Sequence, residues 1–363
     1  MTASGAARAR IDAAVGRIHE AVRRPLRIME VCGTHTMAIG RHGLRALFPA
    51  DLRFLSGPGC PVCVTPGSDI DRAIDLSRRP GTVVATFGDM LRVPGARLGT
   101  LDAARAAGAR VRAVYSALDA VELARSESRT EVVFVGVGFE TTSPTVAAAM
   151  KTARDGGVGN FSVLPSFKLV PPAMSALCAA PDVRIEGFLC PGHVSAIIGV
   201  HAYDAVAAGA KVPCVIAGFD PVDILEGVAG LVEQVRDGRH EVHNGYARAV
   251  RDDGNPTARA LLDEVFEVDD APWRGIGVLP RTGLRVREAF ATLDARRRFG
   301  LPAPAADDLP EGCSCGLVMR GVIVPPECPL FGRACTPSAP VGPCMVSSEG
   351  ACAAYHKYEP TGA

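Results

Sequence analysis

β-Branched runs that each end in a glycine-containing turn predict an α/β fold, with two Rossmann-like parallel-sheet domains and a smaller mixed C-terminal domain. The run at 82–87 leads to Gly88 and Asp89, and the run at 131–137 leads to Gly138, Phe139 and Glu140. Residues 187–190 open onto Pro191, Gly192 and His193, and residues 212–217 give Gly218, Phe219 and Asp220. Helical patterns between these runs argue for parallel strands, because a parallel pair needs a crossover. Six of the twelve cysteines are crowded between Cys313 and Cys352, in a Gly- and Pro-rich segment too irregular to bury a core of its own. The expected units are residues 1–125, 126–235 and 236–363, with the first break in the polar stretch Ser126-Glu127-Ser128-Arg129-Thr130.

At the start of the chain, Ile11, Ala14, Val15, Ile18, Ala21 and Val22 recur at helical spacing, and Pro25 ends that helix. The apolar run 26–31 has strand length and delivers the chain into Cys32-Gly33-Thr34-His35-Thr36. A cysteine at the C-terminal end of a strand sits where open α/β sheets gather ligand-binding groups. A second short strand at 52–55 runs into Gly57-Pro58-Gly59-Cys60-Pro61-Val62-Cys63. Pro58, Pro61 and Pro66 with Gly57 and Gly59 make this a stiff loop, and Cys60-x-x-Cys63 without a second matching pair reads as a redox dithiol.

Further helices are expected at 69–77 after a Ser68 cap, at 118–125, and around Cys178. Cys178, Cys190 and Cys214 fall in apolar contexts and read as core. Glu140 and His193 each follow a strand, and together with Cys32, Cys60 and Cys63 they form one expected constellation. No post-strand turn is a dinucleotide fingerprint or a phosphate loop, so nucleotide binding is not supported. Helical patterns at 257–268 and 286–293 lead into the third unit.

The tail thiols Cys313, Cys315, Cys328, Cys335, Cys344 and Cys352 leave three chemistries to weigh. Disulfides are disfavoured in a chain that shows no secretory signal, and zinc usually shows close Cys-x2-Cys knuckles, which are absent. A 4Fe-4S cluster needs four thiolates and tolerates irregular spacing, so it is the favoured occupant.

Lysine plus arginine and aspartate plus glutamate both total 39, so the chain carries no net charge to recommend nucleic acid as a partner. Apolar runs stop well short of the roughly 20 residues that span a bilayer, so membrane insertion is not expected and the location should be cytoplasmic.

Five motifs in order, from Cys32-Gly33-Thr34-His35-Thr36 and Gly57 to Cys63, through Gly138-Phe139-Glu140-Thr141-Thr142 and Pro191-Gly192-His193-Val194-Ser195, to the tail ending Ser347-Ser348-Glu349-Gly350-Ala351-Cys352, resemble the HypD family of hydrogenase maturation factors. The resemblance runs from about Ile28 to Tyr358, with His243 where the family carries glutamate. It implies a scaffold on which the Fe(CO)(CN)2 unit of nickel-iron hydrogenase is built, with a HypC-type chaperone and a HypE-type cyanide donor as partners. It further implies that Cys32 helps hold the iron, with His35, Glu140 and His193 nearby as supporting or proton-handling groups.

A likeness to ferredoxin-thioredoxin reductase assigns Cys313, Cys328, Cys335 and Cys352 to the cluster, with Cys315 and Cys344 as an adjacent dithiol. The competing assignment takes Cys328, Cys335, Cys344 and Cys352 and leaves the Cys313 and Cys315 pair free. An electron relay through Cys315 and Cys344, then Cys60 and Cys63, to Cys32 follows as an expectation. An iron-sulfur thiol oxidoreductase acting on a protein disulfide is the alternative reading.

Overall fold

The computed structural model describes residues 3–303, 305 and 309–359. Eleven strands run in chain order: β1 (Leu26–Glu30), β2 (Leu52–Ser56), β3 (Thr82–Thr86), β4 (Val111–Ala113), β5 (Glu131–Gly138), β6 (Phe161–Phe167), β7 (Gly187–Pro191), β8 (Cys214–Ala217), β9 (Val242–Asn244), β10 (Phe266–Trp273) and β11 (Gly277–Val286). They build a five-stranded parallel sheet in the order β2-β1-β7-β8-β9 and a four-stranded parallel sheet in the order β4-β3-β5-β6. β10 and β11 form an antiparallel hairpin. Among the described residues no helix is long and apolar enough to cross a membrane.

The two parallel sheets agree with the expected α/β class, but the chain is divided between them differently. β3 pairs directly with β5, so the polar stretch 126–130 lies within the chain segment that builds one sheet. The four-stranded sheet, β3 to β6, is inserted between β2 and β7 of the other. The boundary expected at 235 shifts as well, because β9 pairs with β8.

Local chemistry explains why some elements were readable and others not. β5 and β3 are buried along nearly their whole length, which is why they read as continuous apolar runs. β6 contains Pro165, which would disrupt a central strand, and it lies at the sheet edge where the missing N–H costs no ladder bond. The helical pattern 257–268 holds only for Pro256–Val265, and the chain then extends into β10. The pattern at 286–293 becomes the end of β11 and a 3-10 turn over Glu288–Leu293. The helix Gly67–Arg78 starts one residue before Ser68, with Pro66 at its cap.

The first helix, Ala3–Ala21, packs on the helix Pro221–Arg236 across the five-stranded sheet. Ile18, Ile28, Leu189, Val215, Ile224 and Leu231 form the apolar layer beneath them, and Arg10–Glu226 and Arg17–Glu233 ion pairs fasten the rim. This arrangement leaves the C-terminal ends of β1, β2, β7 and β8 side by side, and the tail lies against that edge.

Candidate functional site

Four post-strand loops of the five-stranded sheet converge around Cys32. Cys32 is the N-cap residue of the helix Gly33–Arg41, in an extended backbone and with no capping hydrogen bond from its side chain. The loop after β2 is laid against it by backbone contact: Gly33 N–H donates to the Gly59 carbonyl at 3.0 Å, and Gly57 N–H to the Glu30 carbonyl at 2.7 Å. A Cβ on Gly59 would collide with the backbone of Val31 and Cys32, so glycine is required there. That loop enters the short helix Pro61–Val64 with Cys60 at its cap, and Cys60 and Cys63 are joined as a disulfide with their Cα atoms 5.3 Å apart.

Beneath Cys32 lies Glu30, a carboxyl with no exposed surface. It accepts from the Cys32 N–H at 2.9 Å and from the Thr36 hydroxyl. Burial pushes Glu30 up to about 6 against these hydrogen bonds and the Arg45 charge. Burial likewise pushes the Cys32 thiol up to about 12, with Glu30 and Glu349 adding to the rise and the His35 and Thr34 backbone N–H groups opposing it. A buried thiol between two acids stays protonated until a cation arrives, and a soft cation bound there would release the proton.

His35 is fully buried, and its Nε2 lies 2.9 Å from the Gly218 carbonyl. A carbonyl only accepts, so Nε2 carries the hydrogen and Nδ1 is left as a lone pair, which has no hydrogen-bond partner. Burial lowers this imidazole to about 4, so it is neutral at physiological pH. Phe219 sits between the two expected histidines, 4.8 Å from the His35 ring and stacked at 3.9 Å on that of His193. His193 is lowered by burial and raised by Glu349.

Glu349 ties the tail to this group. The Thr34 hydroxyl donates to its Oε1 at 3.0 Å, and a Cβ on Gly33 would collide with its side chain and carbonyl. The helix Ala351–Tyr358 packs on the helix Gly33–Arg41, where Gly40 admits the Tyr358 ring. Cys63 Sγ lies 3.9 Å from the Pro343 carbonyl, one residue before Cys344. The segments that carry Cys32, the Cys60–Cys63 disulfide and Cys344 therefore touch in series.

Within the tail, Cys313 and Cys315 Sγ are 3.3 Å apart, and a Cβ on Gly342 would strike both sulfurs. Hydrogen bonds with Cys315 and Cys344 pull the Cys352 thiol down to about 6, while those with Cys315 and Cys352, together with burial, push Cys344 well above the thiol range. Cys328 is near enough to Cys352 to act on it electrostatically, and Cys335 Sγ accepts from the Val341 N–H at 3.4 Å. Among the described residues no group of three or more His, Cys, Asp or Glu is arranged to hold a single metal ion. The donors are all thiols, with Cys313 and Cys315 packed against Gly342, and thiolates are the ligands that a 4Fe-4S cluster takes. Cys315 neighbours both Cys313 and Cys344.

Glu140 does not join the Cys32 group. Its Oε1 accepts from the Val170 N–H at 2.8 Å, its buried Oε2 has no partner, and it lines a separate cavity of about 380 Å³ with Pro171, Ile198, Arg259, Phe266 and Arg287. Among the described residues no hydrogen bond or ion pair links it to Cys32, His35 or His193. Cys190 and Cys214 are fully buried on adjacent strands, and Cys178 is half-buried on the helix Val170–Ala179. Glu30, Phe219 and Glu349 are the site residues that sequence reasoning did not single out. An acid as the last residue of an otherwise apolar strand was the available signal for Glu30.

The chain matches the family model described as HypD, hydrogenase formation hypA family, over residues 9–359. It is 48% identical over 342 residues to a hydrogenase maturation factor HypD of Rhizobium leguminosarum bv. viciae, covering 92% of this chain and 89% of that one. It is 47% identical over 342 residues to a protein of the same description in Azotobacter vinelandii, covering 93% and 90%. A third, from Escherichia coli (strain K12), is 45% identical over 338 residues, covering 92% and 90%.

Proposed function

Because the chain belongs to the HypD family of hydrogenase maturation factors, we propose that its part in hydrogenase maturation is to hold the iron on which the Fe(CO)(CN)2 unit is assembled. The observation that carries this is the contact in series of the segments that carry Cys32, the Cys60–Cys63 disulfide and Cys344, closed by the Cys63–Pro343 contact. Iron with its carbonyl and cyanide ligands is cargo, gripped by the Cys32 thiolate as a soft donor suited to low-spin iron. A HypC-type chaperone supplies a second donor, and a HypE-type protein delivers cyanide.

Glu30 and Glu349 bias the site toward cation capture, since each raises the cost of a bare thiolate and each is relieved by positive charge. His35 offers its Nδ1 lone pair to a donor on the cargo, and half-buried His193 beside Glu349 can take up the thiol proton as the metal enters. The tail thiols Cys313, Cys328, Cys335 and Cys352 would hold a 4Fe-4S cluster, which supplies single electrons when bound. Cys60 and Cys63 cycle between dithiol and disulfide, each cycle moving two electrons and two protons.

The test is infrared spectroscopy of the full-length protein co-purified with its chaperone. Bands of metal-bound CO and cyanide are expected, and Cys32→Ala is expected to remove them while leaving the cluster's visible absorbance. Unchanged bands in Cys32→Ala would refute the assignment. Disulfide reduction of a protein substrate without any such bands would favour the oxidoreductase reading.

A further inference from the structure

A second charged site lies at the C-terminal end of β6, where the four-stranded sheet meets the β10–β11 hairpin. Lys168 is 2% exposed, yet among the described residues its ammonium has one hydrogen bond, to the Ser166 hydroxyl at 3.5 Å. Facing it is Arg296, whose Nη2 holds Asp69 at 2.9 Å and the Pro165 carbonyl at 3.0 Å while its buried Nη1 has no partner. Both side chains line a cavity of about 90 Å³. An ordered water needs only about 10–15 Å³, so this space exceeds one water.

The acids around this cavity are already engaged. Asp69 is fully buried, and although burial alone would raise it, Arg296, Lys168 and Arg72 together hold it below the ordinary carboxylate range. Asp294, the other buried acid, is already engaged by the Arg296 N–H at 2.8 Å and by Arg297. Asp269 and Asp270 on the hairpin are exposed, the first paired with Arg285 and the second accepting the Arg281 N–H. Four acids, Asp69, Asp269, Asp270 and Asp294, and three cations, Lys168, Arg285 and Arg296, line the cavity; each acid is already engaged, while Lys168 and Arg296 keep unused donors. Burial lowers Lys168 to about 8, so it still carries its proton at neutral pH.

We propose that this cavity binds a planar one-carbon oxyanion, formate or bicarbonate, between Lys168 Nζ and Arg296 Nη1. A planar carboxylate matches a guanidinium edge and offers its second oxygen to the lysine, and the volume favours an anion of this size over a larger one. Open α/β sheets place ligands at this end of their strands. No cysteine lines the cavity, so the site is independent of the thiol series.

The experiment titrates the full-length protein separately with 13C-formate and 13C-bicarbonate, following carbon line broadening, with sulfate as competitor. Saturable binding of one anion is expected, with no displacement by sulfate. Lys168→Met is expected to weaken it by about tenfold or more, the loss of one charge-assisted hydrogen bond. Arg296→Lys keeps the charge beside Asp69 but removes the free Nη1, and it should weaken binding alike; it decides the matter if Lys168→Met fails to fold. Cys32→Ser should change nothing. No saturable binding by the native protein, binding indifferent to both cavity variants, or binding lost in Cys32→Ser would each overturn the proposal.

Discussion

Glu140→Gln isolates a buried carboxyl whose cost can be worked out directly. Burial pushes Glu140 from 4.5 up to about 7, against its own N–H and that of Val170, and its Oε2 has no partner. The folded state therefore binds this proton more tightly than the unfolded chain, so the associated stability is complete below pH 4.5 and lost as pH rises through 7. A rise of that size corresponds to about 3 kcal/mol once the group is fully ionised. Gln keeps the acceptor for Val170 and the shape but cannot ionise. From urea denaturation midpoints, the stability difference between Glu140→Gln and the native chain should shift in favour of the variant by up to about 3 kcal/mol between pH 5 and pH 8.5. Comparing the two pH values cancels the fixed cost of the new amide donor. A stability difference that is the same at both would refute the argument, because the carboxyl would then be hydrated or paired.

Gly59→Ala should separate the disulfide loop from Cys32, since the new Cβ has no space beside the Cys32 amide; infrared bands of bound iron are expected to vanish while the cluster absorbance stays, and intact bands would show that the loop shifts freely. Replacing Cys60 and Cys63 with serine should abolish hydrogenase maturation and leave the cluster spectrum unchanged; loss of the cluster would make these two its ligands.

How much of this was legible in the sequence depended on range. Cys32 and the Cys60–Cys63 loop were readable because an apolar run followed by glycines is a local signal for a strand end. Their coming together was not, because nothing local says that β3 to β6 are inserted between β2 and β7. Pro165 hid β6, since proline reads as a strand breaker unless the edge position is known. Helical spacing at Leu261, Leu262, Val265 and Phe266 ran past the point where pairing with Val286 takes over. Glu140 resembled His193 in its position after a strand, yet the two belong to different sheets, and sheet membership is set by pairing across the whole chain.

The insertion also explains why the tail carries so much of the site. A sheet whose strands come from 26–56 and 187–244 has its functional edge assembled from segments far apart in sequence, and β-pairing alone fixes only the strands, not the loops beyond them. The loops are fixed by close backbone approaches that only glycine allows: Gly59 on Cys32, Gly33 on Glu349, Gly342 on Cys313 and Cys315, and Gly316 on Gly275 of the hairpin turn. Two of these four join the tail to the Cys32 helix or to the hairpin, so the tail closes the site as well as holding its own thiols. Burial of Cys32 and Glu30, which sets their proton affinities, thus depends on residues more than 300 positions downstream, as the Thr34–Glu349 bond records with a separation of 315. Release of the tail would rehydrate the Cys32 thiol and bring it back toward its ordinary range, coupling the state of the tail to the proton affinity of Cys32.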